Sequence, residues 1–226
     1  MSVAENIERV KENLPDNVRL LAVSKTMPTE FIMEAYHCGQ RAFGENKVQE
    51  MVWKYEELPK DIEWHFIGHL QTNKIKYIAP FVHLIHGVDS FKLLKSIDVE
   101  AKKAERIIPC LLQFHIAEEE TKFGLSIQEA IEMLNSEEFK LLGNIQISGV
   151  MGMATYTDDE TQVRKEFGSL KKYFEKLKLE FFTDNPNFRE ISMGMSGDFL
   201  IAISEGSTMV RIGSTIFGER NYSSKS

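Results

Sequence analysis

Lys25 is the residue in this sequence best placed for covalent chemistry. It follows the apolar run Leu20-Leu21-Ala22-Val23-Ser24. If that run is a strand, alternation sends Leu21, Val23 and Lys25 to one face. An amine there stands above an apolar floor, and desolvation makes it less basic and more nucleophilic. A Schiff-base lysine needs that property. Taken by itself, Lys25 reads more simply as a solvated lysine at a strand end.

Two glycine-serine turns lie near the end of the chain. In Ser192-Met193-Gly194-Met195-Ser196-Gly197-Asp198, a glycine-rich turn runs into the apolar helical run Phe199–Ser204. Backbone N–H groups at a helix start favour phosphate. Met195, Ser196 and Gly197 would supply them, Ser196 adds a hydroxyl, and Asp198 is expected to cap the helix. In Val210-Arg211-Ile212-Gly213-Ser214, Arg211 interrupts an apolar run and alternates with its neighbours. It is expected in the interior, where a buried arginine needs a partner. Gly213 lets a ligand approach the backbone, and Ser214 offers a donor. Asn46 either bonds a ligand or caps the helix beginning near Lys47; the cap is the simpler reading.

The histidines make a rival site. His65 and His69 are four apart and would share a strand face, whereas His83 and His86 are three apart and would face opposite ways. No cysteine or carboxylate spacing completes a metal set, so no metal is expected. Glu118-Glu119-Glu120 reads as a solvated loop and Met151-Gly152-Met153 as core.

Short apolar runs at Arg19–Ser24, Arg41–Gly44, Trp64–Gly68, Leu84–Val88, Ile108–His115, Ile145–Met151, Glu190–Met193 and Met209–Ile212 supply the strands that would position these residues. Such runs suit strands buried on both faces of a parallel sheet. Helical patterns fill the gaps. The clearest is Glu160–Phe181, with Val163, Phe167, Leu170, Phe174 and Leu177 along one face. Others are Thr29–His37 after Pro28, Ser90–Glu105, and Ser126–Leu134 with a capping-box spacing to Glu129. This alternation predicts an α/β fold, a single-domain (β/α)8 TIM-type barrel over 1–226; an open doubly wound sheet is the alternative. Barrels place their sites at the C-terminal ends of strands, and phosphate commonly after strands seven and eight. The tail Asn221–Ser226 is polar and expected to fray.

Composition narrows the function classes. A net charge of −7 over 226 residues disfavours nucleic acid and anionic lipid as partners. Two separated cysteines, Cys38 and Cys110, argue against a disulfide framework and suit a cytoplasmic protein. The opening stretch Met1–Leu14 is a charged amphipathic helix pattern without the apolar core of a signal peptide. No apolar stretch reaches the length of a membrane span.

Together, Val23-Ser24-Lys25, Phe43-Gly44-Glu45-Asn46, His65 through Lys74 (HFIGHLQTNK), Ser192-Met193-Gly194-Met195-Ser196 and Arg211 through Gly218 (RIGSTIFG) resemble the pyridoxal phosphate homeostasis protein family. The resemblance covers about residues 19–220. It implies a barrel like the N-terminal domain of alanine racemase, with pyridoxal 5'-phosphate (PLP) held as a Schiff base on Lys25. It implies a phosphate cup from Ser196, Gly213 and Ser214, Arg211 facing the pyridine nitrogen, and Asn46 lining the pocket. Lys122 matches a family lysine near the mouth, outside this set. The expected function is PLP homeostasis by storage, buffering or delivery, possible recipients being PLP-dependent apoenzymes. The alternative is a weak PLP-dependent amino-acid racemase. Against it, the sequence stops soon after the eighth strand, offers no evident second base, and pairs the ring with an arginine that would not keep its nitrogen protonated. A monomer is expected.

Overall fold

In the computed structural model the eight strands close into one parallel barrel, β1 to β8 in chain order, with β8 pairing back to β1. The structure describes residues 2–118 and 123–218. The strands are β1 (Arg19–Val23), β2 (Ala42–Glu45), β3 (Glu63–Phe66), β4 (Leu84–Val88), β5 (Ile108–Gln113), β6 (Ile145–Met151), β7 (Glu190–Met195) and β8 (Met209–Ile212). The open-sheet alternative is excluded by the β1–β8 ladder. Strands β1, β3 and β5 stop short of their apolar runs, because the chain leaves the sheet there to form the mouth loops. At β1 the departure is a turn, with Met27 N–H donating to Ser24 O at 3.0 Å.

The helices are α1 (Val3–Lys11), α2 (Thr29–His37), α3 (Val48–Glu57), α4 (Ile75–Ile78), α5 (Phe91–Lys103), α6 (Ile127–Asn135), α7 (Glu137–Lys140), α8 (Glu160–Phe181), α9 (Phe199–Ser204) and α10 (Ser214–Phe217). Ser126 and Glu129 form the expected capping box on α6, and Ser2 and Glu5 form another on α1. Pro28 occupies the N-cap of α2, one residue before the first helical position. The long α8 buries Val163, Phe167, Leu170 and Leu177 against the barrel. Each such side chain contributes about 1.5–3 kcal/mol by leaving water. Glu166, buried on the same helix, accepts from Thr155 N–H at 2.6 Å and Glu118 N–H at 3.2 Å. It thereby ties together the loops that follow β5 and β6.

The lumen has two kinds of lining. Leu21, Ala42, Leu84, Leu111, Met151 and Met209 form a small apolar cluster, distinct from the larger core between sheet and helices. A buried polar column runs beside it. Met151 confirms the core reading of that segment. Register breaks between β7 and β8, where Ser192 pairs with Met209 but Met195 pairs with Arg211. The extra β7 residue makes a bulge containing Gly194 at φ +94°, a conformation that suits glycine.

Candidate functional site

Lys25 sits one residue past Ser24 at the top of β1, in a turn held on both sides. Ser24 Oγ donates to Glu45 Oε1 at 2.6 Å, and Lys54 Nζ donates to Ser24 O at 2.8 Å. Beyond Lys25, Thr26 N–H donates to Glu50 Oε1 at 2.6 Å. The ammonium of Lys54, fully buried, closes the set with bonds to Glu45 Oε1 at 2.8 Å and Glu50 Oε1 at 2.7 Å. Its three donors therefore have three acceptors. Thr26 is held at φ +68°, an unfavourable left-handed conformation for a β-branched residue. Such strain persists where the surroundings over-determine it and clusters at functional sites. Burial pushes the Glu45 carboxyl up to about 7, against the opposing pull of Lys54.

The two glycine-serine turns meet. Gly213 N–H donates to Ser196 Oγ at 3.3 Å, joining the loop after β7 to the loop after β8. Gly213 also packs against β1: a Cβ there would lie 3.2 Å from Val23 O. A Cβ on Gly197 would meet nothing within 4 Å, so that turn opens outward. Ser214 begins α10 and is exposed. The strand ends carrying Ser196, Arg211, Lys25 and Asn46 belong to β7, β8, β1 and β2, four neighbours in the closed sheet.

Arg211 is buried, as expected, and its partners are now explicit. One guanidinium nitrogen donates to Ser192 O and Ser192 Oγ, and the other to Gly152 O at 3.0 Å. Burial lowers its pKa to about 10, which leaves it charged at neutral pH. From Ser192 the column continues to His86 Nδ1 and then from His86 Nε2 to His65 Nδ1. Both imidazoles are held well below the usual histidine value by burial, and are neutral at pH 7.

Several expectations need correction. Asn46 is not the cap of α3: Lys47 holds that position without a side-chain bond, and Asn46 Oδ1 is buried with no hydrogen-bond partner among the described residues. Asp198 occupies the N-cap of α9 yet makes no capping bond; its carboxylate instead accepts from Met195 N–H at 2.5 Å. His69 lies beyond the end of β3 and stacks on Phe123, so it does not share a strand face with His65. His83 precedes β4 and escapes its pleat, so His83 and His86 both contact His65. Lys122, Glu119, Glu120 and the tail Asn221–Ser226 lie outside the described residues.

The sequence patterns assigned no role here to Ser24, Glu45, Glu50, Lys54, Gly152 or Ser192, and His86 entered only with the rival histidine cluster. For Glu45, Ser192 and His86 a signal existed, since each is a polar residue inside or ending an apolar run. Lys54 carried none; on the helix pattern it reads as a surface lysine.

This closed α/β barrel, with a lysine in an over-determined turn beside two joined glycine-serine loops, is a barrel of the alanine racemase N-terminal type. The family model described as "Alanine racemase, N-terminal domain" matches residues 1–221. A pyridoxal phosphate homeostasis protein of Aquifex aeolicus (strain VF5) is 39% identical, covering 98% of this chain and 100% of its own length. The protein of that name from Homo sapiens is 38% identical, covering 99% of this chain and 84% of its own. Among solved structures, PipY of Synechococcus elongatus PCC7942 with PLP bound superposes with a TM-score of 0.85 at 34% identity, covering 96% of this chain and 100% of that one. The chain belongs to the pyridoxal phosphate homeostasis protein family.

Proposed function

We propose that this chain binds PLP covalently at Lys25 and serves to store, buffer or deliver it. The observation that carries the reading is the bracket around Lys25: Ser24 and Thr26 are both tied to the buried Glu45–Lys54–Glu50 cluster. Such a turn fixes where the backbone of one lysine stands at the barrel mouth. Pre-organising a covalent anchor in this way reduces the entropy lost on binding.

The surrounding residues fit the cofactor. The hydroxyls of Ser196 and Ser214 and the N–H of Gly197 are donors for phosphate; Met195 N–H is held by Asp198, and Gly213 N–H orients Ser196 Oγ. Asn46 Oδ1, buried and unpartnered, is an acceptor waiting for a donor. Arg211 would face the pyridine nitrogen. PLP supplies an electron sink when its ring nitrogen is protonated. Arg211 is a donor with no acceptor, so it leaves that nitrogen unprotonated and the sink weak. The site holds the cofactor more than it uses it.

PipY, named above, was solved with PLP bound, and the same ligand is proposed here. No helix among the described residues is long and apolar enough to cross a membrane. We place the protein in the cytoplasm as a monomeric single barrel, with PLP-dependent apoenzymes as recipients. The test is reactivation. Loaded protein mixed with a PLP-dependent apoenzyme should restore that enzyme's activity, and the loaded protein should carry a visible absorbance band. A purified protein that shows no such band after incubation with PLP would end the proposal.

A further inference from the structure

We propose that Glu63, His65 and His83 bind a divalent transition-metal ion of the zinc class at the floor of the barrel, at the end opposite Lys25. Glu63 and His65 are two apart on β3 and so share a face. His83, just before β4, stacks on His65 with ring centroids 5.3 Å apart. The donor atoms of the three residues lie within 4.8 Å of one another. Sequence spacing alone gave no metal set, because the carboxylate stands two residues before a histidine and the second histidine arrives from the neighbouring strand.

An independent observation points to a ligand there. His65 is fully buried, yet its Nε2 has no hydrogen-bond partner among the described residues. Buried polar atoms are paired in nearly all folded proteins, and an exception calls for a missing group. The other ring nitrogen is engaged: Nδ1 meets His86 Nε2 at 2.9 Å. A metal-binding histidine is typically oriented by such a bond from its second nitrogen. Two imidazoles and one carboxylate are a zinc donor set, with water taking the fourth position. His83 is exposed, so water reaches the site from its side.

Arg19 is the evident competitor. It donates to Glu63 Oε2 at 2.6 Å. A monodentate carboxylate needs only one oxygen, so Oε1 remains for the ion. The positive charge of Arg19 weakens the site without blocking it. Coordination also sets the direction of the polar column. With the ion on Nε2, His65 Nδ1–H donates to His86 Nε2, and His86 Nδ1–H donates to Ser192 Oγ. That oxygen also accepts from Arg211.

The experiment is equilibrium dialysis of the untagged protein against Zn²⁺, with Co²⁺ as a spectroscopic substitute. One Zn²⁺ per chain is expected, with the visible bands of a low-symmetry Co²⁺ site, and Mg²⁺ should not compete. Glu63→Gln and His83→Gln should each weaken binding by about tenfold or more, a loss of the size seen when metal-site partners are removed. Both side chains reach solvent, so circular dichroism should be unchanged. His83→Cys, which keeps a zinc donor, should restore what His83→Gln loses, and His69→Gln should change nothing. Zn²⁺ binding that survives undiminished in both glutamine variants, as metal held by a ligand at the mouth would, overturns the site. So does a wild-type protein that binds Zn²⁺ no better than His83→Gln.

Discussion

Arg211 and Ser192 are locked together twice, through the serine's carbonyl and its hydroxyl, each at 2.7 Å from the same guanidinium nitrogen. A bond to Gly152 O, one residue past the end of β6, fixes the plane of the fork. These bonds hold the guanidinium in one place, and on the proposed placement of PLP that place is beside the ring nitrogen.

Catalysis should accordingly be weak. Alanine supplied to the loaded protein should show racemization at background, and its Cα proton should exchange slowly into heavy water. Chiral chromatography and proton NMR measure the two. Robust racemization lost in Lys25→Ala would establish the enzyme reading instead. Arg211→Gln should also lower thermal stability, because Gly152 O loses its guanidinium donor, whereas Ser192 O keeps the Gly152 N–H. Each buried group left unpaired costs about 1–3 kcal/mol.

Covalent attachment should map to one peptide. Borohydride reduction followed by mass mapping should find the pyridoxyl group on Lys25. Lys25→Ala should lose the visible band while its circular dichroism stays that of the folded barrel. A label found mainly on Lys54 or another lysine would refute the assignment.

Ser196 and Ser214 should discriminate by phosphate. Replacing either with alanine should weaken PLP binding by about 1–3 kcal/mol, the range for a hydrogen bond to a charged group. Affinity for pyridoxal, which lacks the phosphate, should hardly change. Ser196→Ala should have the larger structural effect, because its hydroxyl also accepts from Gly213. Calorimetric titration with both ligands reads the difference, and equal losses would place the cup elsewhere.

Glu45 should give stability a pH dependence. Its carboxyl is raised from 4.5 to about 7 in the fold. A raised carboxyl binds its proton more tightly when folded. Its contribution is complete below about pH 4.5 and is lost as pH rises through 7. The change amounts to about 3 kcal/mol at most. Urea unfolding across this window should show the slope in the wild type and lose it in Glu45→Gln. That variant keeps an amide oxygen to accept from Lys54 and Ser24, so it removes the titration while retaining both acceptor contacts. An unchanged slope would mean that Glu45 stays ionised.

Strand order and the candidate site's strand-end positions were legible because parallel-barrel strands are apolar on both faces and stand out as short runs. Lys25, Ser196, Arg211, Gly213 and Ser214 were readable as residues that finish those runs. The polar column was not. Arg211 reaches back along the ladder to Ser192, which pairs with Met209, not with Arg211. No single-strand pattern encodes an offset between two strands. The face of His83 was misread for a related reason: alternation applies only inside a strand, and β4 begins one residue later. Asn46 and Asp198 looked like caps because their types favour that role, but each carboxyl or amide oxygen was diverted by the tight βα turn.

The histidine–serine–arginine column has a consequence for folding. Apolar strands of similar composition can pair in several alignments at little cost, since one isoleucine replaces another. The column removes that tolerance. Sliding β4 by a single residue would swing His86 out of the lumen toward the helices, taking from His65 Nδ1 its partner and leaving Ser192 Oγ with Arg211. Sliding it by two would keep the face but separate the atoms by roughly 6–7 Å, beyond any hydrogen bond. The interior polar groups thus act as a vernier for the barrel, penalising misaligned closures that the greasy half of the lumen would accept.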